Sequence, residues 1–115
     1  MSAIPPTFRA YVAEKIEDRV ERGVRQFAGS DLPAGEVEIR VAWSSVTYKD
    51  GLATRADGRV ARINPIIPGI DLAGEVVASS DRDITVGSQV AAHGYELGVS
   101  RHGGYSEYQP GPDGW

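Results

Sequence analysis

The segment from Glu36 to Trp43 has an apolar residue at every second position, with charged residues between the first of them, and this pattern constrains the fold more than any other feature. Four apolar residues occupy every second position: Val37, Ile39, Val41 and Trp43. Side chains of a strand point alternately to the two faces of its sheet. The alternation therefore predicts a strand with these four residues facing a core and the charged residues facing water.

Similar short segments recur along the chain between residues that favour turns. They predict further strands over 8–14, 19–27, 69–79, 88–94 and 103–109. The first two are expected to be joined by a polar turn at 15–18. Thr47 followed by Asp50 predicts a capping box for one short helix from about Tyr48 to Arg55, ended by Gly58. The chain is thus predicted to be mainly β, as a barrel or a sandwich.

Composition excludes several classes of protein. The chain has 115 residues, a net charge of -4 and no cysteine. A disulfide framework, a thiolate zinc site and a cysteine nucleophile are therefore excluded. The mildly acidic charge predicts no nucleic-acid partner. The sequence has neither a signal-peptide pattern nor an apolar run of membrane-spanning length, so we expect a cytoplasmic protein without a membrane partner.

Four segments occur in an order and spacing that resemble one known family. They are VTYKDGLATR at 46–55, PGIDLAGEVV at 68–77, VGSQVAAHG at 86–94 and HGGYSEY at 102–108. Together they resemble the N-terminal, GroES-like catalytic domain of the medium-chain dehydrogenase/reductase superfamily, in its zinc-free quinone oxidoreductase and acrylyl-CoA reductase branch. The resemblance implies a GroES-like, partly open β-barrel with one or two short helices over 8–115, after a loose N-terminal arm at 1–7.

The resemblance also implies an activity. Members of this branch are NADPH-dependent oxidoreductases that reduce activated C=C bonds, in enoyl-CoA substrates such as acrylyl-CoA or in quinones. Their catalytic domain precedes a Rossmann domain, and no Gly-x-Gly-x-x-Gly segment occurs in this sequence. We therefore expect half of a reductase: a fragment, a truncated gene product or an engineered piece, inactive or nearly so by itself.

Two other functional classes stay open. A free-standing GroES-like module could bind a protein or a small ligand without catalysis, so whether the chain is an enzyme is undecided at this stage. A co-chaperonin fits less well, because the four ordered segments match the reductases. The family's barrel is completed by a C-terminal return of the chain, and without that return apolar surface and a sheet edge would be exposed. We therefore expect a homo-oligomer.

The resemblance implies that no metal is bound. In the zinc-dependent relatives, the first ligand is a cysteine at the position of Thr47, and a histidine ligand stands at the position of Ile70. Threonine and isoleucine are not zinc ligands.

The segment Thr47, Tyr48 and Lys49 is the predicted cofactor-binding site. It stands at the start of the predicted helix, where free amides attract anions, and in the family it faces the nucleotide. Tyr48 is also the first candidate for a catalytic hydrogen-bond donor. The local alternative is a helix cap, a packed tyrosine and an exposed lysine.

Asp71 is the second catalytic candidate, and Arg101 is the candidate for substrate binding. Asp71 interrupts an apolar strand, so it is either a cleft carboxylate that orients a base or a hydroxyl, or a strand residue bonded to backbone amides. Gly74 in the same strand would allow another backbone to approach closely. Arg101 is either a contact for a CoA phosphate or a substrate carbonyl, or an exposed loop arginine. His93 and His102 are open between acid–base and structural roles.

Overall fold

A long hairpin and a four-stranded sheet make up the structure, a computed structural model that describes residues 3–33, 35–55 and 61–111. The hairpin consists of β1 (Thr7–Ile16) and β2 (Arg19–Ala28), followed by a 3-10 turn at Gly29–Asp31. The sheet contains β3 (Val37–Trp43), β4 (Asp71–Ser79), β5 (Gln89–His93) and β6 (Tyr108–Pro110), and one helix, α1 (Tyr48–Ala53), follows β3. The predicted mainly β class is confirmed.

The hairpin is antiparallel and regular along its whole length. Its register runs from Thr7 opposite Ala28 to Ile16 opposite Arg19. Only Glu17 and Asp18 remain for the loop, and Glu17 has a positive φ of 59°. The two predicted strands are therefore confirmed, and β1 extends by two residues into the segment 15–18 that we expected to be a four-residue turn.

The sheet has the order β5-β4-β3-β6, with every neighbouring pair antiparallel. The hairpin joins it through loops rather than through a continuous ladder. The Tyr11 amide donates to the Tyr105 carbonyl and the Ala13 amide to the Ile66 carbonyl, each at 2.8 Å. The described residues therefore form a partly open barrel, as the resemblance implied.

Two apolar clusters form the core, one under the hairpin and one under the sheet. The first contains Phe8, Ala10, Val12, Phe27, Leu32 and Ile67, and the second contains Val37, Ile39, Leu72, Val76, Ala92 and Leu97. The alternation in β3 is confirmed for its first residues. It is wrong for Trp43, which is 76% exposed. A register shift between Val41 and Trp43 breaks the period where β3 reaches the end of the sheet.

The strand expected at 103–109 is mostly absent, because β6 begins only at Tyr108. Gly103 and Gly104 lie instead against the backbone of the segment before β4. Their amides donate to the carbonyls of Ile67 at 2.7 Å and Gly69 at 3.0 Å. A Cβ atom at Gly103 would overlap the Gly69 carbonyl oxygen. These glycines therefore allow the two backbones to lie in direct contact.

Helix α1 is confirmed together with its cap. The Thr47 side chain accepts from the Asp50 amide at 3.3 Å, and the Asp50 carboxylate accepts from the Thr47 amide at 2.9 Å. The helix ends at Ala53, earlier than predicted, and Gly58 lies outside the described residues.

His102 is a structural residue of the core beneath the hairpin. Its Nδ1 accepts from the Ile67 amide at 3.0 Å, and its ring stands edge-on to Phe27 with centroids 5.1 Å apart. Burial lowers the pKa of His102 from its ordinary value of 6.5, although nearby Asp31 acts in the opposite direction. A protonated ring could not accept the Ile67 hydrogen bond, so the fold requires the neutral form.

This arrangement predicts acid-sensitive stability. Below pH 6.5 the unfolded chain takes up a proton at His102 that the folded chain refuses, so the free energy of unfolding should fall as the pH falls through that value. His102→Asn keeps an acceptor near the Nδ1 position and should reduce this slope. His102→Leu leaves the Ile67 amide unpaired and should cost about 1–3 kcal/mol at pH 8. Urea unfolding at pH 8, 6.5 and 5 measures both effects, and equal slopes for wild type and His102→Asn would contradict the assignment.

Candidate functional site

Four of the five predicted site residues, Thr47, Tyr48, Lys49 and Asp71, lie where the end of β3, the start of α1 and the start of β4 come together. We call this region the β3–α1 junction and define it by Ser44, Ser45, Thr47, Asp50 and Asp71. The loop before β6 contributes Tyr105 to it.

The Asp71 carboxylate is hydrogen-bonded to both serines of the junction. Its Oδ1 accepts from the Ser45 amide at 2.8 Å and lies 3.1 Å from the Ser44 hydroxyl, and its Oδ2 accepts from the Ser45 hydroxyl. Burial raises the pKa of Asp71. The hydrogen bonds from Ser45 and Ser44, with nearby His93, lower it by more, so that the pKa lies below the ordinary value of 3.8. Asp71 is therefore an ionised carboxylate that orients hydroxyls as well as a backbone amide.

His93 stands opposite Asp71 across the β4–β5 pair. Its side chain is exposed. The structure thus separates the two histidines that the sequence left equivalent: His102 lies in the core, and His93 lies beside the Asp71 carboxylate.

Asp50 is the buried centre of the junction, with only 3% of its surface exposed. Besides the two capping bonds, its carboxylate accepts from the Ile70 amide at 3.0 Å and from the Tyr105 hydroxyl at 3.2 Å. The Tyr105 hydroxyl also lies 2.8 Å from the Ser45 carbonyl oxygen. Asp50 therefore connects α1, the start of β4 and the loop before β6.

The same contacts make Tyr105 a poor acid. Burial, followed by the charge of Asp50 and its hydrogen bond, raises the pKa of Tyr105 to about 12. At neutral pH its proton stays on the phenol and is shared with Asp50 and the Ser45 carbonyl.

The three residues of the predicted cofactor-binding segment, Thr47, Tyr48 and Lys49, differ in how available their side chains are. The Thr47 hydroxyl is committed to the cap, where it both accepts from the Asp50 amide and donates to the Asp50 carboxylate. Tyr48 is 82% exposed, and Lys49 is exposed beside it. Because α1 has six residues and Asp50 already supplies negative charge at its start, the helix terminus itself offers little attraction for a phosphate.

Exposed apolar side chains precede this segment in the chain. Trp43 and Val46 lie five and two residues before Tyr48, and both are largely exposed. On the outer face of the sheet, Trp43 borders an open groove of about 480 Å³ with Ala73, Gly74 and Ala91 in its lining. Arg40, Glu75 and Gln89 also line this groove, whereas the residues that define the junction do not.

Arg101 is not brought to the junction. It is half-buried, and its guanidinium lies 3.5 Å from the Gly111 carbonyl oxygen. The Gly111 amide donates to the Val37 carbonyl at 2.7 Å. Val37 and Trp43 are the two ends of β3, which are roughly 20 Å apart in a strand of this length. Arg101 therefore lies near the end of β3 that is remote from the junction.

Within 3–33, 35–55 and 61–111, no three histidine or acidic side chains come together in a way that could hold a metal ion. In the same ranges, no helix has the length and hydropathy needed to cross a membrane.

Sequence reasoning missed Tyr105 and the role of the two serines. Ser45 and Asp71 are 26 residues apart, and Asp50 and Tyr105 are 55 residues apart. The only local sign of these contacts was Asp71 itself, because a carboxylate within an apolar strand needs hydrogen-bond donors from elsewhere in the chain.

The fold and this junction define a class of protein. Residues 33–114 match the model of the alcohol dehydrogenase GroES-like domain. The chain therefore belongs to the alcohol dehydrogenase GroES-like domain family, and its resemblance to the quinone oxidoreductase and acrylyl-CoA reductase branch of the medium-chain superfamily is confirmed.

Individual relatives are similar along nearly the whole chain. The putative quinone oxidoreductase YhfP of Bacillus subtilis is 49% identical over 94% of this chain and 33% of the relative. The acrylyl-CoA reductase AcuI of Ruegeria pomeroyi is 41% identical over 87% of this chain and 31% of the relative. A crystal structure of YhfP with NAD bound superposes with a TM-score of 0.88 and covers 95% of this chain and 33% of that one. The chain thus spans about one third of the length of these relatives.

Proposed function

We propose that this chain is the substrate-side domain of an NADPH-dependent oxidoreductase that reduces activated C=C bonds, in enoyl-CoA thioesters or quinones. The observation that carries the proposal is the likeness to YhfP, whose solved structure contains NAD. YhdH of Salmonella enterica, solved with NADP, adds support at 37% identity and a TM-score of 0.87. In this proposal residues 8–115 act together with a nucleotide-binding domain like the one in the rest of such relatives.

The residues of the junction suit one wall of a cofactor cleft. Tyr48 and Lys49 project into solvent, and Trp43 and Val46 provide an apolar surface against which a second domain or a planar ring can pack. A bound NADPH supplies the hydride that the reduction requires. Lys49 makes no ion pair among the described residues, so it is available for a phosphate.

Hydroxyl orientation decides which group donates and which accepts. The Ser45 hydroxyl gives its proton to Asp71, so its oxygen lone pairs remain free to accept from a ligand amide or hydroxyl. Tyr105 keeps its proton at neutral pH and donates it to Asp50 and to the Ser45 carbonyl.

The Tyr48 hydroxyl has no partner among the described residues. It is therefore the group that can donate to the oxygen on which negative charge develops after hydride addition. Asp71 positions the acceptor, and Arg101 stays a candidate for a more distant part of the substrate.

Tyr48→Phe tests this assignment because it removes only the hydroxyl. In this chain joined to the remaining two thirds of YhfP, the change should lower kcat for acrylyl-CoA or quinone reduction by about 100-fold, the usual cost of one such donor. Tyr95→Phe is the matched control, since Tyr95 is also exposed, at 49%, and lies outside the junction. Steady-state NADPH oxidation measures both.

Equal activity of the Tyr48→Phe and Tyr95→Phe variants would show that the Tyr48 hydroxyl takes no part in the reaction and that Tyr48 serves only as a packing surface. A joined protein that folds and binds NADPH but reduces neither substrate class would favour a binding module without catalysis.

A further inference from the structure

Strand β2 has one edge that no other strand of the described residues covers. It contains ten residues and, among the described residues, pairs only with β1. Ile16 and Arg19 close the two-residue loop of the hairpin, so the odd-numbered residues of β2 bond to β1. The even-numbered residues direct their backbone N–H and C=O groups outwards. These outward residues are Val20, Arg22, Val24 and Gln26.

The side chains of β2 carry opposite charges on either side of Gly23. Glu21 precedes this glycine by two residues, and Arg25 follows it by two. Both are partly exposed, with 60% and 46% of their side-chain surfaces accessible, and each already forms an ion pair within its own hairpin at 3.1 Å, Glu21 with Arg19 and Arg25 with Glu14. A strand with this symmetry is complementary to an antiparallel copy of itself.

We propose that two copies of this chain pair edge to edge through β2, antiparallel, about a twofold axis at Gly23. In this register Glu21 of each copy faces Arg25 of the other copy. The pair Val20 and Gln26, and the pair Arg22 and Val24, exchange backbone hydrogen bonds across the interface. Gly23 faces its own copy at the axis, where the lack of a side chain lets the strands approach.

The charges select this register over its neighbours. A two-residue shift in one direction places Arg19 opposite Arg25, and a further shift places Glu21 opposite itself. A shift in the other direction places Glu21 opposite Phe27 and Arg25 opposite Gly23, so that neither charge faces an opposite charge across the interface. Opposite charges directly across a sheet stabilise the pairing, and like charges destabilise it.

β2 suits this role better than the two outer strands of the four-stranded sheet. β5 has five residues and β6 has three, and neither contains a pair of opposite charges, so each offers a shorter ladder without a preferred register. A single strand on each side makes an interface smaller than the standard size. The dimer should therefore be weak and should dissociate further as salt screens its charges.

Sedimentation velocity of the 115-residue chain, over a concentration series from about 1 µM to about 1 mM, tests the proposal. The wild type should shift from monomer to dimer within this range. Glu21→Arg and Arg25→Glu should each weaken the dimer about tenfold, because two attractive pairs become two repulsive ones. The double variant, Glu21→Arg with Arg25→Glu, should restore it.

Arg82→Glu is the control for net charge, since it changes the charge as Arg25→Glu does but lies on the exposed turn between β4 and β5. Thermal melting of each variant shows that the hairpin is intact. A wild type that stays monomeric throughout would overturn the proposal. A dimer that the single charge reversals leave unchanged, or that the double variant fails to restore, would overturn it as well.

Discussion

Asp50→Ala should unfold the β3–α1 junction and lower the free energy of unfolding by about 3–5 kcal/mol. The carboxylate is buried and accepts from the amides of Thr47 and Ile70 and from the Tyr105 hydroxyl. Alanine leaves the Thr47 and Ile70 amides without their acceptor in a largely buried site and leaves the Tyr105 hydroxyl with the Ser45 carbonyl only, and each unpaired buried group is costly. Urea unfolding followed by circular dichroism measures the loss.

Two further variants separate this effect from a simple change of charge. Asp83→Ala removes an acid from an exposed turn and should change stability by less than about 0.5 kcal/mol. Asp50→Asn keeps one acceptor oxygen and should fall between the wild type and Asp50→Ala. An Asp50→Ala protein within 1 kcal/mol of the wild type would show that the Asp50 network is not what holds the three segments together.

Gly74→Ala should be destabilising by about 3 kcal/mol or more, although it adds one methyl group. A Cβ atom at Gly74 would overlap the Arg40 carbonyl oxygen and lie 2.9 Å from the Ile39 methyl group. The obstacle on β3 is backbone, so β3 and β4 would have to separate at the centre of the sheet. The same substitution at Gly51 is the control.

Gly51 lies in α1 and has open space where a Cβ would stand. Gly51→Ala should therefore stabilise the protein by about 0.5–1 kcal/mol through the higher helix propensity of alanine. Thermal melting of the two alanine variants should give shifts of opposite sign. Shifts of the same sign would contradict the close approach of the two strands at Gly74.

The features that the sequence predicted correctly are those decided by neighbouring residues. The capping box of Thr47 and Asp50 needs only a spacing of three, and the alternation at Val37 and Ile39 needs only a period of two. The close backbone contact at Gly74 was also expected, because a glycine inside a strand has few other uses.

The features that it did not predict depend on contacts between distant parts of the chain. No local pattern joins Ser45 to Asp71 or Asp50 to Tyr105, and these pairs decide which hydroxyls donate and which accept. The prediction that Trp43 faces the core was wrong for a related reason, because a register shift between β3 and β4 decides to which side its side chain points. His93 and His102 have similar surroundings in sequence, and only the fold places one beside Asp71 and the other against Phe27.

The most direct test of the account compares the chain alone with the same chain joined to the remaining two thirds of YhfP. NADPH oxidation is followed with acrylyl-CoA and with a quinone as acceptors. The account predicts turnover in the joined protein and little or none in the chain alone, because the reacting groups would lie between two domains. A joined protein that folds and binds NADPH without reducing either acceptor would contradict the account, as would full activity of the chain alone.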